Sequence, residues 1–314
     1  MSTEITGYAA SAFVYLHALT QDARYLDRAT AAARFLVRTW DPASRTMPFE
    51  ADPPAFTYFF DCGIIIRGLL SVWRVTGEQP FLDVAAELGR SMAADFASPS
   101  GDFHPILSLP DKRPTVRDPL RWSQSAGCYQ LKSALAWWDL SEATGDERFR
   151  APYLSALEYS LHNYASFLPG HAEREKVMDR LHPFLYFLEC LLPCVDDRRC
   201  AAALCDGIRR TEGHLRDIAP EFERSDVYAQ LLRIRRFADW AGVAPLDHEA
   251  ARFEAARLSE FQAAAADPRI DGGYWFGRRG QTWLPYVNPV STAFATQALA
   301  IWEGAAPPDR HLLI

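Results

Sequence analysis

The segment Thr144-Gly145-Asp146-Glu147 is a short polar turn between two long segments of helical periodicity, and it decides how the chain is interpreted. Similar turns lie at residues 20–24, 76–80, 196–198 and 244–247. The flanking segments carry apolar residues three and four positions apart, which predicts helices with one buried face. Longer loops containing Pro and Gly separate the pairs, so the chain is predicted to consist of successive helical hairpins.

The periodicity predicts eleven helices, arranged as five pairs and a final single helix. Their approximate bounds are 6–20 and 23–39, 58–75 and 80–96, 123–143 and 147–164, 173–194 and 197–216, 224–241 and 247–266, and 289–304. Strand-like alternation is scarce. The aromatic stretch at 274–276 is interpreted first as a loop, because four glycines flank it between residues 272 and 280.

The first and second helices of each pair differ in polarity. First helices, such as the segment from Cys62 to Val72, are apolar nearly all round, as is the last helix. Second helices, such as Gln79 to Phe96, carry charged residues on one face. A helix that is apolar all round is buried, so the pattern predicts an inner ring and an outer ring of helices. Repeats of about 50 residues fit a solenoid closed into a ring.

With its eleven alternating helices and turns such as Thr144-Gly145-Asp146, followed by Phe149 and Tyr153, the chain resembles the α/α-toroid, or six-hairpin glycosidase-like, superfamily. The resemblance covers almost the whole chain and implies an all-α toroid of about eleven helices in one domain, residues 1–314. It implies an incomplete sixth hairpin, because only Ala305-Ala306-Pro307-Pro308 and a short tail follow Trp302. The superfamily includes glycoside hydrolases, sugar epimerases and polysaccharide lyases, and a sister group holds terpenoid cyclases and protein prenyltransferases.

Composition narrows the function classes. A net charge of -7 over 314 residues argues against nucleic acid as a partner. No apolar run approaches the roughly 20 residues of a membrane span, and the first residues lack a secretory leader, so a cytoplasmic location and no membrane partner are expected. The six cysteines lack a close CxxC pair and have apolar flanks, so we expect buried thiols and no metal site. No cofactor is expected.

The candidate site lies where the long loops lead into the inner helices, because the starts of those helices would then converge at one mouth. Loops on a rigid scaffold commonly carry function. The candidate catalytic residues there are Asp61, Tyr129, His182, Asp226 and Tyr286, and the candidate substrate-binding residues are Trp122, Arg180, Arg224, Tyr274, Trp275, Arg278 and Asn288.

Each candidate also has a structural interpretation. Asp61 stands among Phe and Ile residues, where a carboxylate is costly unless it is used, caps the helix or pairs with Arg67. Asp226 could cap its helix, and His182 could be a buried histidine with satisfied hydrogen bonds. The segment 271–289 concentrates aromatic residues in a loop, which indicates either a ligand platform or packing at the rim.

The arginines near the proposed mouth suggest an anionic substrate, since Arg binds carboxylates in a bidentate manner. The sequence thus predicts an enzyme that acts on an acidic, uronate-type sugar or oligosaccharide by epimerisation or β-elimination. In this hypothesis Arg neutralises the substrate carboxylate while Tyr129, His182 or Tyr286 moves the proton. The alternatives are a two-carboxylate glycosidase using Asp61 with Asp226 or Asp179, a terpenoid cyclase or prenyltransferase, and a non-catalytic scaffold. The oligomeric state is left open.

Overall fold

The computed structural model describes residues 2–170 and 172–314, and eleven α-helices make up most of that part of the chain. They are α1 Thr3–Thr20, α2 Ala23–Thr39, α3 Phe59–Thr76, α4 Gln79–Asp95, α5 Leu131–Thr144, α6 Arg150–Asn163, α7 Arg174–Glu189, α8 Arg198–Ile218, α9 Ser225–Trp240, α10 His248–Glu260 and α11 Pro289–Trp302. The predicted number and order of helices are confirmed. No described helix combines the length and the apolar character needed to cross a bilayer.

Three predicted helix boundaries are wrong by five residues or more, and the largest error concerns α5. This helix begins at Leu131 instead of residue 123, and two 3₁₀ turns, Trp122–Gln124 and Cys128–Gln130, precede it. Ser125 and Gly127 have extended backbone, which interrupts the helix between the two turns. Helix α7 ends at Glu189 instead of 194, before a 3₁₀ turn that contains Pro193, and α10 ends at Glu260 instead of 266.

Two small antiparallel sheets lie before the inner helices α3 and α9. The first contains β1 Phe56–Tyr58, β2 Ile106–Ser108 and β3 Arg113–Pro114, and the second contains β4 Phe222–Arg224, β5 Gly277–Arg279 and β6 Thr282–Trp283. In the second sheet Phe222 pairs with Arg279 and Arg224 with Gly277. Part of the segment interpreted as a loop is therefore a hairpin, and its turn holds Gly280 at φ 55°, a conformation that favours glycine.

The helices group into two compact units, Met1–Asn163 with Pro308–Ile314, and Tyr164–Pro307. In the first unit α1 packs on α3 and α3 on α5, and in the second α9 packs on both α7 and α11. These odd-numbered helices are largely buried, whereas α2 buries only the stripe Ala29, Ala33 and Leu36. The predicted difference in polarity is thus present inside each unit. A single domain spanning 1–314 stays a prediction.

Small residues allow the inner helices of the first unit to approach one another closely. A Cβ atom on Gly63 of α3 would lie 2.4 Å from the Cα of Ser133 in α5. On the other side of α3, a Cβ on Gly68 would lie 2.5 Å from the carbonyl oxygen of Gly7 in α1. Both distances are far below van der Waals contact, so these two packing interfaces require glycine.

The short turns share a simple construction. Gly145 ends α5 with φ near 70°, which places the last backbone N–H group against a helix carbonyl, and Gly77 ends α3 in the same way. In the turn after α5, and in two other turns, an aspartate accepts a hydrogen bond at the start of the next helix and pairs with the arginine two residues later; these aspartates are Asp22, Asp146 and Asp197. These ion pairs are exposed and contribute little stability, so their role is to define where each helix begins.

The tail after α11 belongs to the first unit. Leu313 and Ile314 are each only 3% exposed, and the Lys132 ammonium group of α5 donates a hydrogen bond to the Ile314 carbonyl oxygen at 3.1 Å. Arg310 pairs with Asp139 of α5. The last two residues of the short tail expected from the sequence are therefore buried, and the last one accepts a hydrogen bond from a buried lysine.

Candidate functional site

The densest cluster of candidate residues in the second unit is built around one carboxylate. Arg224, the last residue of β4, donates from Nε and Nη2 to the two oxygens of Asp226, at 3.0 and 2.6 Å. Its Nη1 donates to Asp179 Oδ1 at 2.9 Å. Arg224 and Asp226 are both more than 95% buried. Such bidentate pairs are geometrically specific, so the sheet and the first turn of α9 hold the carboxylate in a defined position.

His182 of α7 lies against this carboxylate. Its Nδ1 atom is 2.7 Å from Gln230 Oε1 and 3.3 Å from Asp226 Oδ2. An ionised carboxylate can only accept a hydrogen bond, so Nδ1 carries the ring proton of the neutral imidazole. The other nitrogen, Nε2, is then the basic one. Nε2 has no hydrogen-bond partner among residues 2–170 and 172–314, and His182 is 8% exposed to solvent.

The protonation states of this pair follow from their surroundings. Burial lowers the pKa of His182 to about 4, an effect that the Asp226 charge only partly offsets. Burial opposes ionisation of Asp226, but the Arg224 guanidinium outweighs it and keeps the pKa of that carboxyl below its usual range. At neutral pH the cluster therefore holds a neutral imidazole beside a charged carboxylate. This is the arrangement needed for a histidine that accepts a proton and is stabilised once it has done so.

An aromatic stack adjoins the ion pair. The Arg224 guanidinium lies 4.5 Å from the ring centre of Phe276, whose other neighbour is Tyr286, stacked at 5.0 Å between ring centroids. Tyr286 is 47% exposed. Ser225 Oγ donates to the Trp275 carbonyl oxygen at 2.7 Å, which fixes this loop to the start of α9. The arrangement gives an exposed aromatic ring on a rigid support, as stacking on a sugar requires.

The remaining candidates of the second unit are largely engaged within the protein. Asn288 Oδ1 accepts hydrogen bonds from two backbone N–H groups and caps α11. Arg278 pairs with Glu223 at 2.8 Å, and Arg180 donates to the Phe167 carbonyl oxygen at 2.9 Å. Tyr274 is buried, whereas Trp275 is partly exposed. Of these residues, Trp275 is best placed to meet a ligand.

In the first unit Asp61 occupies the first turn of α3 and is 5% exposed. It is not the capping residue, because Tyr58 holds that position. Arg67, considered above as its partner, pairs instead with Asp139 at 2.9 Å. Asp61 Oδ2 is buried and has no hydrogen-bond partner in the described part of the chain. Both structural interpretations of Asp61 are therefore excluded by the geometry.

A second carboxyl group, which the sequence analysis did not single out, acts on Asp61. It belongs to Glu4 in the first turn of α1. Burial raises the pKa of Glu4 to about 7, and burial together with the Glu4 charge raises the pKa of Asp61 well above its usual range. The available signal was an acidic residue at the start of a helix, one turn before the small residue Gly7.

Tyr129 and Trp122 form part of an aromatic group in the first unit. The Tyr129 hydroxyl donates to the Ser125 carbonyl oxygen at 2.9 Å, and its ring packs edge-on against Trp122 at 5.1 Å and near Phe60. Tyr129 is 2% exposed, and burial raises the pKa of its hydroxyl above the usual value. Proton transfer by Tyr129 stays a prediction, and this environment does not favour it.

One group of side chains in the described residues has the composition of a metal site. Asp139, Glu142 and His311 have donor atoms within 4.8 Å of one another. Arg67 donates to Asp139, however, and Arg310 pairs with both carboxylates. The arginines compensate the negative charge that would attract a cation, so we assign this group to attaching the tail to α5. The expectation that the protein has no metal stays a prediction.

Comparison with known proteins gives structural relatives only. Neither a family model nor a curated protein matches the chain. Among solved structures, a sugar epimerase from a ruminal bacterium is similar with a TM-score of 0.72 and 12% identity, over 98% of this chain and 89% of that one. Cellobiose 2-epimerase from Bacillus thermoamylovorans B4167 gives 0.70 and 13%, over 97% and 88%. A D-mannose isomerase gives 0.66 and 10%, over 96% and 87%. Identities this low establish the fold alone, and the chain accordingly has the α/α-toroid fold.

Proposed function

We propose that this protein is a carbohydrate-active enzyme that epimerises or isomerises a sugar by moving a proton on the carbon next to a carbonyl group. The observation that carries the proposal is His182, whose Nδ1 atom is held by Gln230 and Asp226 while Nε2 has no partner in the described residues. The structural relatives include two epimerases and an isomerase, which supports the same class of reaction.

The chemistry requires one base and a support for the charge that it acquires. In an open-chain aldose, His182 Nε2 would take the proton from C2, and the C–H electrons would move to the carbonyl oxygen to give an enediolate. Return of the proton from the imidazolium to C1, with movement of the hydroxyl proton from O2 to O1, gives the ketose. The epimer forms when the intermediate turns relative to His182 before the proton returns, or when water or a second acid delivers a proton to the opposite face of C2. The imidazolium formed in between lies 3.3 Å from the Asp226 carboxylate, which stabilises it.

The choice between a neutral and an acidic sugar depends on the arginines. Arg224 and Arg278, two of the side chains predicted to bind a substrate carboxylate, are paired with Asp226 and Glu223. Arg180 donates to the Phe167 carbonyl oxygen, so an acidic sugar would have to compete with internal contacts of all three arginines, and we favour a neutral aldose. A two-carboxylate glycosidase is less well supported in this unit, because Arg224 favours the ionised form of Asp226 and no protonated acid is supplied by it.

The proposal is tested by deuterium incorporation in D2O, followed by proton NMR. A panel of neutral aldoses, including D-mannose, D-glucose and cellobiose, is compared with glucuronate and galacturonate. We expect exchange at C2 of at least one neutral aldose and a loss of at least about a hundredfold in His182→Asn. The matched control is His248→Gln, since His248 is exposed at the start of α10.

Two outcomes would contradict the proposal in different ways. Exchange confined to the uronates, at the carbon next to the carboxylate, would favour the acidic sugar. Exchange of a neutral aldose that is equally fast in the wild type and in His182→Asn would show that another residue is the base.

A further inference from the structure

The starts of α1 and α3 lie side by side in the first unit. The Thr3 N–H group donates to the Phe49 carbonyl oxygen, and the Phe49 N–H group donates to the Phe56 carbonyl oxygen in the strand before α3. One turn further on, a Cβ atom placed on Gly7 would lie 3.1–3.2 Å from backbone atoms of Ile64 and Ile65. The two helices therefore run alongside each other from their first turns.

This packing places two carboxyl groups at the same level. Glu4 precedes Gly7 by three residues, and Asp61 precedes Ile64 by three residues. Moving back three residues along two adjacent helices of the same direction covers an equal distance of about 4.5 Å on each. Glu4 and Asp61 thus occupy corresponding positions in the first turns of neighbouring helices.

A second observation shows that this pair is not satisfied by the protein. Asp61 Oδ2 is buried and lacks a hydrogen-bond donor anywhere in the described residues, although the side chain is 5% exposed. A buried carboxyl oxygen without a donor costs free energy, so a group from outside the chain is needed to satisfy it.

The environment identifies the kind of donor. Burial and the proximity of a like charge favour a pair that carries one proton between its two carboxyl groups, as their raised pKa values indicate. A pair in this state offers a donor O–H as well as acceptor oxygens and carries one negative charge instead of two, which weakens its attraction for a cation and suits an alcohol. The side chains of Tyr58 and Phe60, directly before Asp61, are partly exposed aromatic rings.

We propose that Glu4 and Asp61 together form a binding site for adjacent hydroxyl groups of a neutral polyhydroxylated ligand, a sugar or a sugar alcohol. One carboxyl group donates its proton to a ligand oxygen, and Asp61 Oδ2 accepts a hydrogen bond from a ligand hydroxyl. This site lies within the first unit and does not depend on the proton-transfer role of His182.

The probe for the test is D-mannitol, which has no carbonyl group and so cannot take part in the proposed reaction. Binding to the full chain is measured by calorimetry or saturation-transfer NMR for the wild type, Glu4→Gln and Asp61→Asn. We expect Kd to rise about 10–150-fold in Asp61→Asn, because a hydrogen bond to a charged or strongly polar group is lost. Glu50→Gln, which changes an exposed carboxyl group in the loop between α2 and β1, is the matched control and keeps the wild-type Kd.

Several results would overturn the proposal. One is that the wild type and both variants bind mannitol equally well. Another is that the wild type does not bind mannitol. The third is that the wild type binds Ca2+ and that Ca2+ displaces mannitol. If the variants fold poorly, infrared spectroscopy of the wild type provides a second measurement. A C=O band of a protonated carboxyl at pH 7 that is perturbed by mannitol supports the site, and an unperturbed spectrum contradicts it. His182→Asn is expected to bind mannitol normally, which separates this site from the proposed reaction.

Discussion

The Nδ1 atom of His182 lies 3.3 Å from Oδ2 of Asp226, and the same carboxylate accepts two hydrogen bonds from Arg224. The carboxylate fixes the ring proton on Nδ1 and leaves Nε2 as the base. The arginine keeps the carboxylate ionised while it limits how basic the imidazole becomes. Three residues from α7, β4 and α9 of the second unit thus define the protonation state of one ring.

The protonation state of His182 predicts how the rate of the proposed reaction depends on pH. In the proposed reaction His182 acts in its neutral form, so we expect activity to be lost as the pH falls through its pKa, which burial lowers from 6.5 to about 4. We expect kcat/KM to be constant between about pH 7 and pH 5 and to decline only near pH 4. The profile is measured with the substrate found by deuterium exchange. An acid limb near 6.5 would show that the base is an exposed histidine or that His182 is not buried in solution.

Removing the arginine is expected to destabilise the second unit. Arg224→Met leaves Asp226 as a buried carboxylate without its main partner, which costs about 3–5 kcal/mol of unfolding free energy. Urea unfolding at neutral pH provides the measurement. The double variant Arg224→Met, Asp226→Asn removes the charge as well and is expected to recover part of the loss. An unchanged urea midpoint in Arg224→Met would contradict the assigned ion pair.

The fold was predictable because it depends on features that recur along the sequence. Glycine turns such as Gly145 and the difference between apolar and amphipathic helices are local, and each appears several times. One error lies where backbone pairing over a long distance helps to decide the conformation. The hairpin of β5 and β6 turns at Gly280, and its strand β5 also pairs with β4, where Phe222 lies opposite Arg279 more than fifty residues away.

The candidate site was predicted only in part, for the same physical reason. Asp226 and His182 were both identified because they lie near the starts of predicted inner helices, but no contact between them was predicted. Their contact depends on the packing of α7 against α9, which no local pattern specifies. Arg224 was expected to bind a substrate, but its donors are directed at Asp226 and Asp179. Glu4 was missed because its importance arises only from the helix that packs beside it.

The carboxyl pair of the first unit makes stability depend on pH. Folding raises the pKa of Glu4 from 4.5 to about 7, so the folded state binds more protons than the unfolded chain between these values. This contribution to stability is complete below about pH 4.5 and is lost as the pH rises through about 7. We expect Glu4→Gln to remove much of that loss, so its Tm exceeds that of the wild type at pH 8 but not at pH 5. Calorimetry with an equal Tm difference at both pH values would contradict the raised pKa of Glu4.

Because α3 and α5 pack closely in the first unit, we expect a single added methyl group at Gly63 to lower the free energy of unfolding. Gly63→Ala places a Cβ atom 2.4 Å from the Ser133 Cα and 2.6 Å from its carbonyl oxygen, so α3 and α5 must separate. We expect a loss of about 1–3 kcal/mol or more in unfolding free energy. Gly213→Ala in α8 is the control, because no atom lies within 4 Å and alanine favours the helix by about 1 kcal/mol. Equal stability of the two variants would contradict the packing.

The most direct test of the central claim is deuterium exchange at C2 of the sugar by His182→Ala, measured with and without added imidazole. The account predicts that exchange falls at least about a hundredfold in this variant and that imidazole restores part of it by occupying the vacated space as a base. Asp226 would still be present to orient the added ring. Exchange in His182→Ala at the wild-type rate, or a loss that imidazole does not reverse in a protein of unchanged Tm, would contradict the assignment of His182 as the base.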